Sequence, residues 1–230
     1  MSPSSTTSAL PTRRALAKGV AWSVPVITVG AAAPAIAASR GCPSSSCFTS
    51  SNSYGANLSV TNANWGNGSL TTNFPLGFTT SGACSGTYPS PTVNFTSGTL
   101  NFSIPNGASP AKTAESTTFT VSMTATALTS TVASLSMAVS GMTTPSPAIS
   151  TIPATQLNTA GTDAWFGLES MCLSGTFTFT VGGTQFTKTI QVCQNFCDKG
   201  NSTFSKVGTT SYNISYQASY CGTGVTVLCA

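Results

Sequence analysis

From Gly175 to Val181 the chain reads Gly-Thr-Phe-Thr-Phe-Thr-Val, and the same alternation of apolar and hydroxyl residues returns along much of the sequence. Leu70, Phe74, Leu76 and Phe78 share one parity; so do Phe119, Val121, Met123 and Ala125, and then Ala133, Leu135, Met137 and Val139. Successive side chains of a strand point to opposite faces, so a period of two buries one face and leaves the other in water. Thr, Val and Phe are also the residues that suit a pleated, half-buried surface. No helical stripe competes after residue 37. The chain is therefore predicted to be all-β, an antiparallel β-sandwich of about ten short strands with Gly, Pro and Asn between them.

Two hairpins are predicted to the residue. A Ser97-Gly98 turn would set Phe95 across from Leu100 and Val93 across from Phe102, with Asn94 facing Asn101 on the other side. A Gly182-Gly183 turn, where glycine supplies positive φ, would pair Phe179 with Phe186. Further strands are expected at Leu58 to Val60, Tyr212 to Tyr220 and Val225 to Cys229. The pair Gly175 to Val181 and Lys188 to Val192 resembles the last hairpin of bacterial immunoglobulin-like domains, which implies an immunoglobulin-like sandwich. The chain departs from that pattern in lacking a Trp between two suitably spaced cysteines, and a Tyr two residues before Cys172.

The first 37 residues read differently. Thr12, Arg13, Arg14, Leu16 and Lys18 precede an apolar run from Gly19 to Ala33 and a small-residue site, Ala35-Ile36-Ala37. That order is an export signal of the twin-arginine type with cleavage after Ala37; the general secretion route, which also wants cations before an apolar stretch, is the rival. The run is too short and too interrupted for a membrane span. Arg40 does not suit a lipid-modification site at Cys42. Arg13 to Val26 resembles the signals of exported surface proteins of high-GC Gram-positive bacteria, which implies an exporting cell and no particular activity.

Cleavage would leave 193 of the 230 residues, enough for a substantial core. The expected organisation is a signal at 1–37, a Ser-rich segment at 38–55 and one elaborated sandwich at 56–230, with Thr143 to Pro147 marking a subdivision near 143–150 if there is one. Losing Arg13, Arg14 and Lys18 reduces eight cations to five against four acids, so the basic balance belongs to the signal. The remainder has no stripe of Lys and Arg to neutralise phosphates, which argues against nucleic acid and anionic lipid as partners. The C-terminus, Val225 to Ala230, carries no sorting motif or apolar tail, so attachment to a wall would be non-covalent or made by a partner. Asn57, Asn67, Asn94, Asn101, Asn201 and Asn213 open Asn-x-Ser/Thr triplets, which arise readily by chance in so Ser- and Thr-rich a chain.

Eight cysteines, Cys42, Cys47, Cys84, Cys172, Cys193, Cys197, Cys221 and Cys229, suit an oxidising compartment. Proximity predicts Cys42 with Cys47, Cys193 with Cys197, Cys221 with Cys229, and Cys84 with Cys172. The alternative is a zinc site of Cys42, Cys47, Cys193 and Cys197, whose spacings are wider than usual.

The absence of histidine removes Ser-His and Cys-His nucleophile pairs and His metal ligands. Gly82-Ala83-Cys84-Ser85-Gly86 has the spacing of a nucleophile elbow, and Ser109-Pro110-Ala111-Lys112 that of a Ser-x-x-Lys motif, but neither has its companions. Of the carboxylates Glu115, Asp163, Glu169 and Asp198, only Asp163 and Glu169, flanking Trp165, are close enough in sequence to suggest a glycosidase pair. For binding, Tyr212, Tyr216 and Tyr220 share one face of a strand and, with Trp165, could stack on sugar rings; packing in the core is the competing reading. Exposed Thr and Ser rows could contact ice or mineral only as a flat, regular array. The expectation is a secreted or cell-surface, non-enzymatic sandwich without cofactor or metal, acting in adhesion or envelope structure on a cell-wall or host glycan or a surface protein. A carbohydrate-binding module is the alternative, and a small glycoside hydrolase the distant one.

Replacing Arg13 and Arg14 together by Lys should abolish export, measured as the fraction of protein outside the cytoplasm, with the normal product beginning at or within two residues of Ala38. Undiminished secretion of the Lys pair would assign the chain to the general route.

Overall fold

The computed structural model describes residues 41–52, 54–79, 82–105, 112–145, 167–198, 202–207 and 211–229. Arg13, Arg14 and Ala37 lie outside them, as do Asp163, Trp165 and Ser109 to Ala111. Cys42–Ala230 forms one compact unit. Its strands are β1 (Phe48–Thr49), β2 (Tyr54–Val60), β3 (Ser69–Phe78), β4 (Thr92–Pro105), β5 (Lys112–Ser122), β6 (Thr126–Ala127) and β7 (Ala133–Ser136). Then come β8 (Ala138–Ser140), β9 (Gly167–Val181), β10 (Thr184–Asp198), β11 (Ser202–Val207), β12 (Ser211–Tyr220) and β13 (Thr226–Cys229). A short helix, α1 (Gly82–Thr87), and two 3-10 turns, Ser45–Cys47 and Trp65–Asn67, complete the set.

Every pairing is antiparallel, and the main path runs β1-β3-β2-β12-β10-β9-β4-β5-β8. The path folds back on itself. Phe74 on β3 meets Phe95 on β4 at 6.1 Å, Phe78 on β3 meets Phe177 on β9 at 5.4 Å, and Trp65 stacks on Phe102 at 5.6 Å. The larger layer is thus β13-β10-β9-β4-β5-β8, and the smaller holds β11, β12, β2 and β3 with β1 and β7 on β3. Their apolar faces enclose an aromatic core, the arrangement that lets each sheet bury one side. β10 belongs to both layers: Ile190 to Cys193 pair with β13, while Phe196 and Asp198, across a register shift, pair with β12.

The Gly182-Gly183 turn is as expected. Both glycines have positive φ, +56° and +82°, and Phe179 faces Phe186. The Ser97-Gly98 turn is not there. β4 runs unbroken through it, with a register shift against β9 between Phe95 and Ser97. That shift changes the inward parity from Val93 and Phe95 to Leu100 and Phe102, the same inward set a hairpin would have given. Gly98 is required by a neighbour instead: a Cβ there would lie 2.3 Å from the Phe119 ring of β5. Asn94 and Asn101 consequently lie on one strand, opposite Thr176 and Ser170 of β9.

The Ser-rich start of the expected segment 38–55 joins the same unit from Cys42 onward. Phe48 is buried against Phe78 and Phe177, and β1 pairs with the end of β3. Pairings of β4 with β9 and of β2 with β12 cross Pro145, so the chain before and after it shares one core.

All eight cysteines are bridged, as Cys42–Cys229, Cys47–Cys84, Cys172–Cys193 and Cys197–Cys221. None of the four pairings expected from proximity is present. Cys193 and Cys197 lie on one extended strand, where four residues span about 13 Å, beyond the roughly 7 Å a bridge allows. The zinc alternative falls with them, because its four cysteines are each bonded to a different partner.

Cys42–Cys229 spans 187 residues and Cys172–Cys193 only 21. In the chain-entropy account the longer loop restricts the unfolded chain by about 2 kcal/mol more. Cys42→Ser with Cys229→Ser should therefore lower the melting temperature by several degrees more than Cys172→Ser with Cys193→Ser in scanning calorimetry.

Candidate functional site

The outward face of the larger layer carries an extended patterned surface. Each strand there alternates core residues with short polar ones, and the register places the polar ones in rows across the sheet. Thr187, Thr178 and Thr92 form one row, and Thr189, Thr176 and Asn94 the next. Leu228, Gln191, Ser174, Ser97, Thr120 and Ser140 form a third. Thr226, the Cys193–Cys172 bridge, Thr99 and Thr118 form the fourth. Asn195, Ser170, Asn101 and Ser116 make the fifth. Strands stand about 5 Å apart and alternate residues about 7 Å apart, so these rows cover several hundred Å².

No residue in the five rows is charged. Neighbouring groups satisfy one another: Thr178 and Thr187 hydroxyls are 3.2 Å apart, Asn101 Nδ2 donates to Ser170 Oγ at 2.9 Å, and Gln191 Nε2 donates to Ser174 Oγ at 3.2 Å. The Thr143 hydroxyl accepts from the Thr118 amide at 3.0 Å and shares a second hydrogen bond with the Thr118 hydroxyl. Such side chains are held in place, and each hydroxyl retains capacity to donate or accept. Leu228, 59 % exposed, is the large apolar residue that stands out of the surface, beside Gln191. A register shift at Phe95/Ser97 breaks the spacing between the second and third rows, so they are not the unbroken array that ice or mineral contact requires.

Two of the four residues singled out for sugar stacking, Tyr216 and Tyr220, are placed in the core. Tyr216 and Tyr220 are each 1 % exposed in the core, so they form no exposed aromatic row. Tyr220 stacks on Phe196 at 4.7 Å, shares a hydrogen bond with Thr72 at 2.8 Å and donates to Met171 Sδ at 3.3 Å. Burial pushes its hydroxyl well above the ordinary tyrosine range, with the Thr72 hydrogen bond pulling the other way. Tyr212 sits opposite Lys206 in the β11–β12 pairing, and Trp165 lies outside the described residues.

Gly82 to Gly86 lies in α1, and its Cys84 is bonded to Cys47. Of Ser109 to Lys112, only Lys112 is described, as the first residue of β5. Asp163 is outside the described residues, so its pairing with Glu169 has no geometry. Glu169 is exposed and accepts a hydrogen bond from Ser103 Oγ at 2.7 Å. Glu115 is on the buried face of β5, opposite Phe102, so it does not share a solvent-facing cleft with Glu169. Among the described residues no group of three or more Cys, Asp or Glu could hold a metal, and no helix is long and apolar enough to cross a membrane.

No protein-family model matches the chain, no curated protein matches it in sequence, and no solved structure matches it. The site has to be read from its own chemistry.

Among the described residues Glu115 is a buried carboxylate without a partner, as Thr49 Oγ1 is a buried hydroxyl without one. Glu115 is 5 % exposed and neither carboxylate oxygen has a hydrogen-bond partner, whereas Thr117 on the same face donates to the Thr143 carbonyl. Desolvation raises its pKa. Because the folded-state value lies above the unfolded one, the folded chain binds the proton more tightly between the two. Stability therefore falls as pH rises through that window and stays low above it. Glu115→Gln should raise the melting temperature at pH 7 by roughly 2–4 °C, for about 1 kcal/mol, with the gain shrinking toward pH 4. A gain that does not change with pH would locate the effect in packing instead.

Proposed function

We propose that this chain is a secreted or cell-surface protein without enzymatic activity, acting in adhesion or as a structural part of a bacterial envelope. The observation that carries the reading is the uncharged hydroxyl and amide face of the larger layer. Surfaces that only keep a protein in solution are usually studded with both signs of charge, which repel casual contacts. This face has none over five rows, and several of its groups are held by hydrogen bonds to their neighbours, which lowers the side-chain entropy lost when a partner is laid upon it. Four disulfides suit a protein that works outside the reducing cytoplasm, which agrees with the twin-arginine-type signal. The immunoglobulin-like label is part of the same proposal and rests on the antiparallel two-layer arrangement and the β9–β10 hairpin.

A second reading, carbohydrate binding, is favoured by the chemistry of that face rather than by aromatic stacking. Rows of hydroxyls and amides without charge offer donors and acceptors to a neutral polysaccharide, whereas an anionic one would find no cation there.

Thr118 and Thr187 are exposed on different strands of the face. Thr118→Lys combined with Thr187→Lys should leave the melting temperature within a degree or two and weaken retention on isolated cell-wall fragments about tenfold, which corresponds to 1.4 kcal/mol. Equal retention of variant and parent would remove the face from the account, and recovery of the parent wholly free in culture medium would overturn the envelope reading. Binding of parent but not variant to a neutral glycan on an array would select the second reading.

A further inference from the structure

We infer that a pull along the chain bypasses the fold, because one covalent bridge joins Cys42 to Cys229 across the compact unit. Cys42 and Cys229 are bonded with their Cα atoms 5.6 Å apart, although 187 residues separate them in sequence. A force applied ahead of Cys42 and beyond Cys229 passes through that one bridge. The intervening sandwich is a closed loop beside the path of force and feels none of it. Without the bridge the same pull would load the short β13, which is held to β10 only from Ile190 to Cys193, and the amide of Val227, which donates to Ser45 Oγ at 2.8 Å. Hydrogen bonds of about 1 kcal/mol each are a weak restraint by comparison with a covalent bond.

The remaining bridges extend the same device inward. Five residues lead from Cys42 to Cys47, which is bonded to Cys84; eight lead from Cys229 back to Cys221, which is bonded to Cys197; four more reach Cys193, bonded to Cys172. All four disulfides are therefore strung in series on short segments, from α1 through both ends of the chain to β9. The Cys172–Cys193 bridge stands in the fourth row of the uncharged face, so a load taken up there reaches either end through covalent bonds and short lengths of chain. The inference does not depend on what that face binds.

Single-molecule stretching of the full chain, held by its first and last residues, tests it. Residues 1–41 contribute the same length in every arm. The oxidised protein should show no lengthening from residues 43–228 up to rupture of the tether, and neither should Cys172→Ser with Cys193→Ser. Cys42→Ser with Cys229→Ser should release segments 42–47, 84–172, 193–197 and 221–229, about 105 residues or about 37 nm at full extension. The fully reduced chain should release about 65 nm. These lengths follow from connectivity alone and are read whether or not the opened variant folds. Lengthening of the oxidised protein by tens of nanometres, or the same length from both double variants, would overturn the inference, while loss of wall retention in the lysine variant would leave it untouched.

Discussion

The register of β9 against β10 governs much of the larger layer and its junction with the smaller. A two-residue glycine turn with both φ positive sets Val181 opposite Thr184, and from there the pairing runs without slippage to Ser170 opposite Asn195. A slip of one residue would exchange core and solvent faces along both strands, placing Phe177, Phe179, Ile190 and Val192 in water. The same register brings Cys172 to Cys193, and it carries β10 far enough past β9's last paired residue for Phe196 and Asp198 to join β12. β10 is thereby the corner at which one layer becomes the other. β4 then pairs with β9's other edge through two register shifts, the extra residue being Thr96 of β4 at the first and Glu169 of β9 at the second.

Short of charges, the chain divides its polar and apolar groups by face. Rings from both layers fill the interior, with Phe177 in contact with Phe48, Phe78, Tyr88 and Phe179. The Tyr220 hydroxyl finds Thr72 and Met171 there, as a buried phenol must if it is not to lose its hydration without replacement. Glu115 is an exception, a carboxylate at the margin of the core without a partner, and its cost is a stability that depends on pH. Outside, Thr, Ser, Asn and Gln bond to one another across strands, which keeps the face ordered while leaving it uncharged.

Several elements are legible in the local sequence alone. Thr-Phe alternation marks β9 because a strand half in and half out of water must repeat every two residues, and Gly182-Gly183 marks its turn because two consecutive positive φ angles suit glycine above all other residues. The pairing of Phe179 with Phe186 even implies that of Cys172 with Cys193, since in each pair the two members lie equally far from the turn; nearness along the chain is the wrong measure for cysteines held on extended strands. Ser97-Gly98 misleads for a definable reason. A tight hairpin and a bulge both exchange inward parity, and only the neighbouring Phe119 ring shows that Gly98 makes room for a side chain rather than reversing the chain.

The candidate site is legible only in fragments. Each of its hydroxyl residues is visible as the solvent side of some strand, yet their assembly into rows depends on which strands are neighbours, and that is settled by pairings between residues as distant as Thr92 and Thr178. Tyr216 and Tyr220 of β12 carry an alternation that fits an exposed row as well as a buried one, and the opposing layer, which brings Met171 of β9 to the Tyr220 hydroxyl, decides for burial. By itself, then, the sequence determined the alternation that marks most of the strands, the faces they present, one turn and an even set of cysteines suited to pairing, all of them consequences of local periodicity and composition. Tertiary structure decided which strands lie side by side, which cysteines meet and which polar rows share a surface, because those are contacts between residues far apart in the chain, and periodicity carries no information about distance in space.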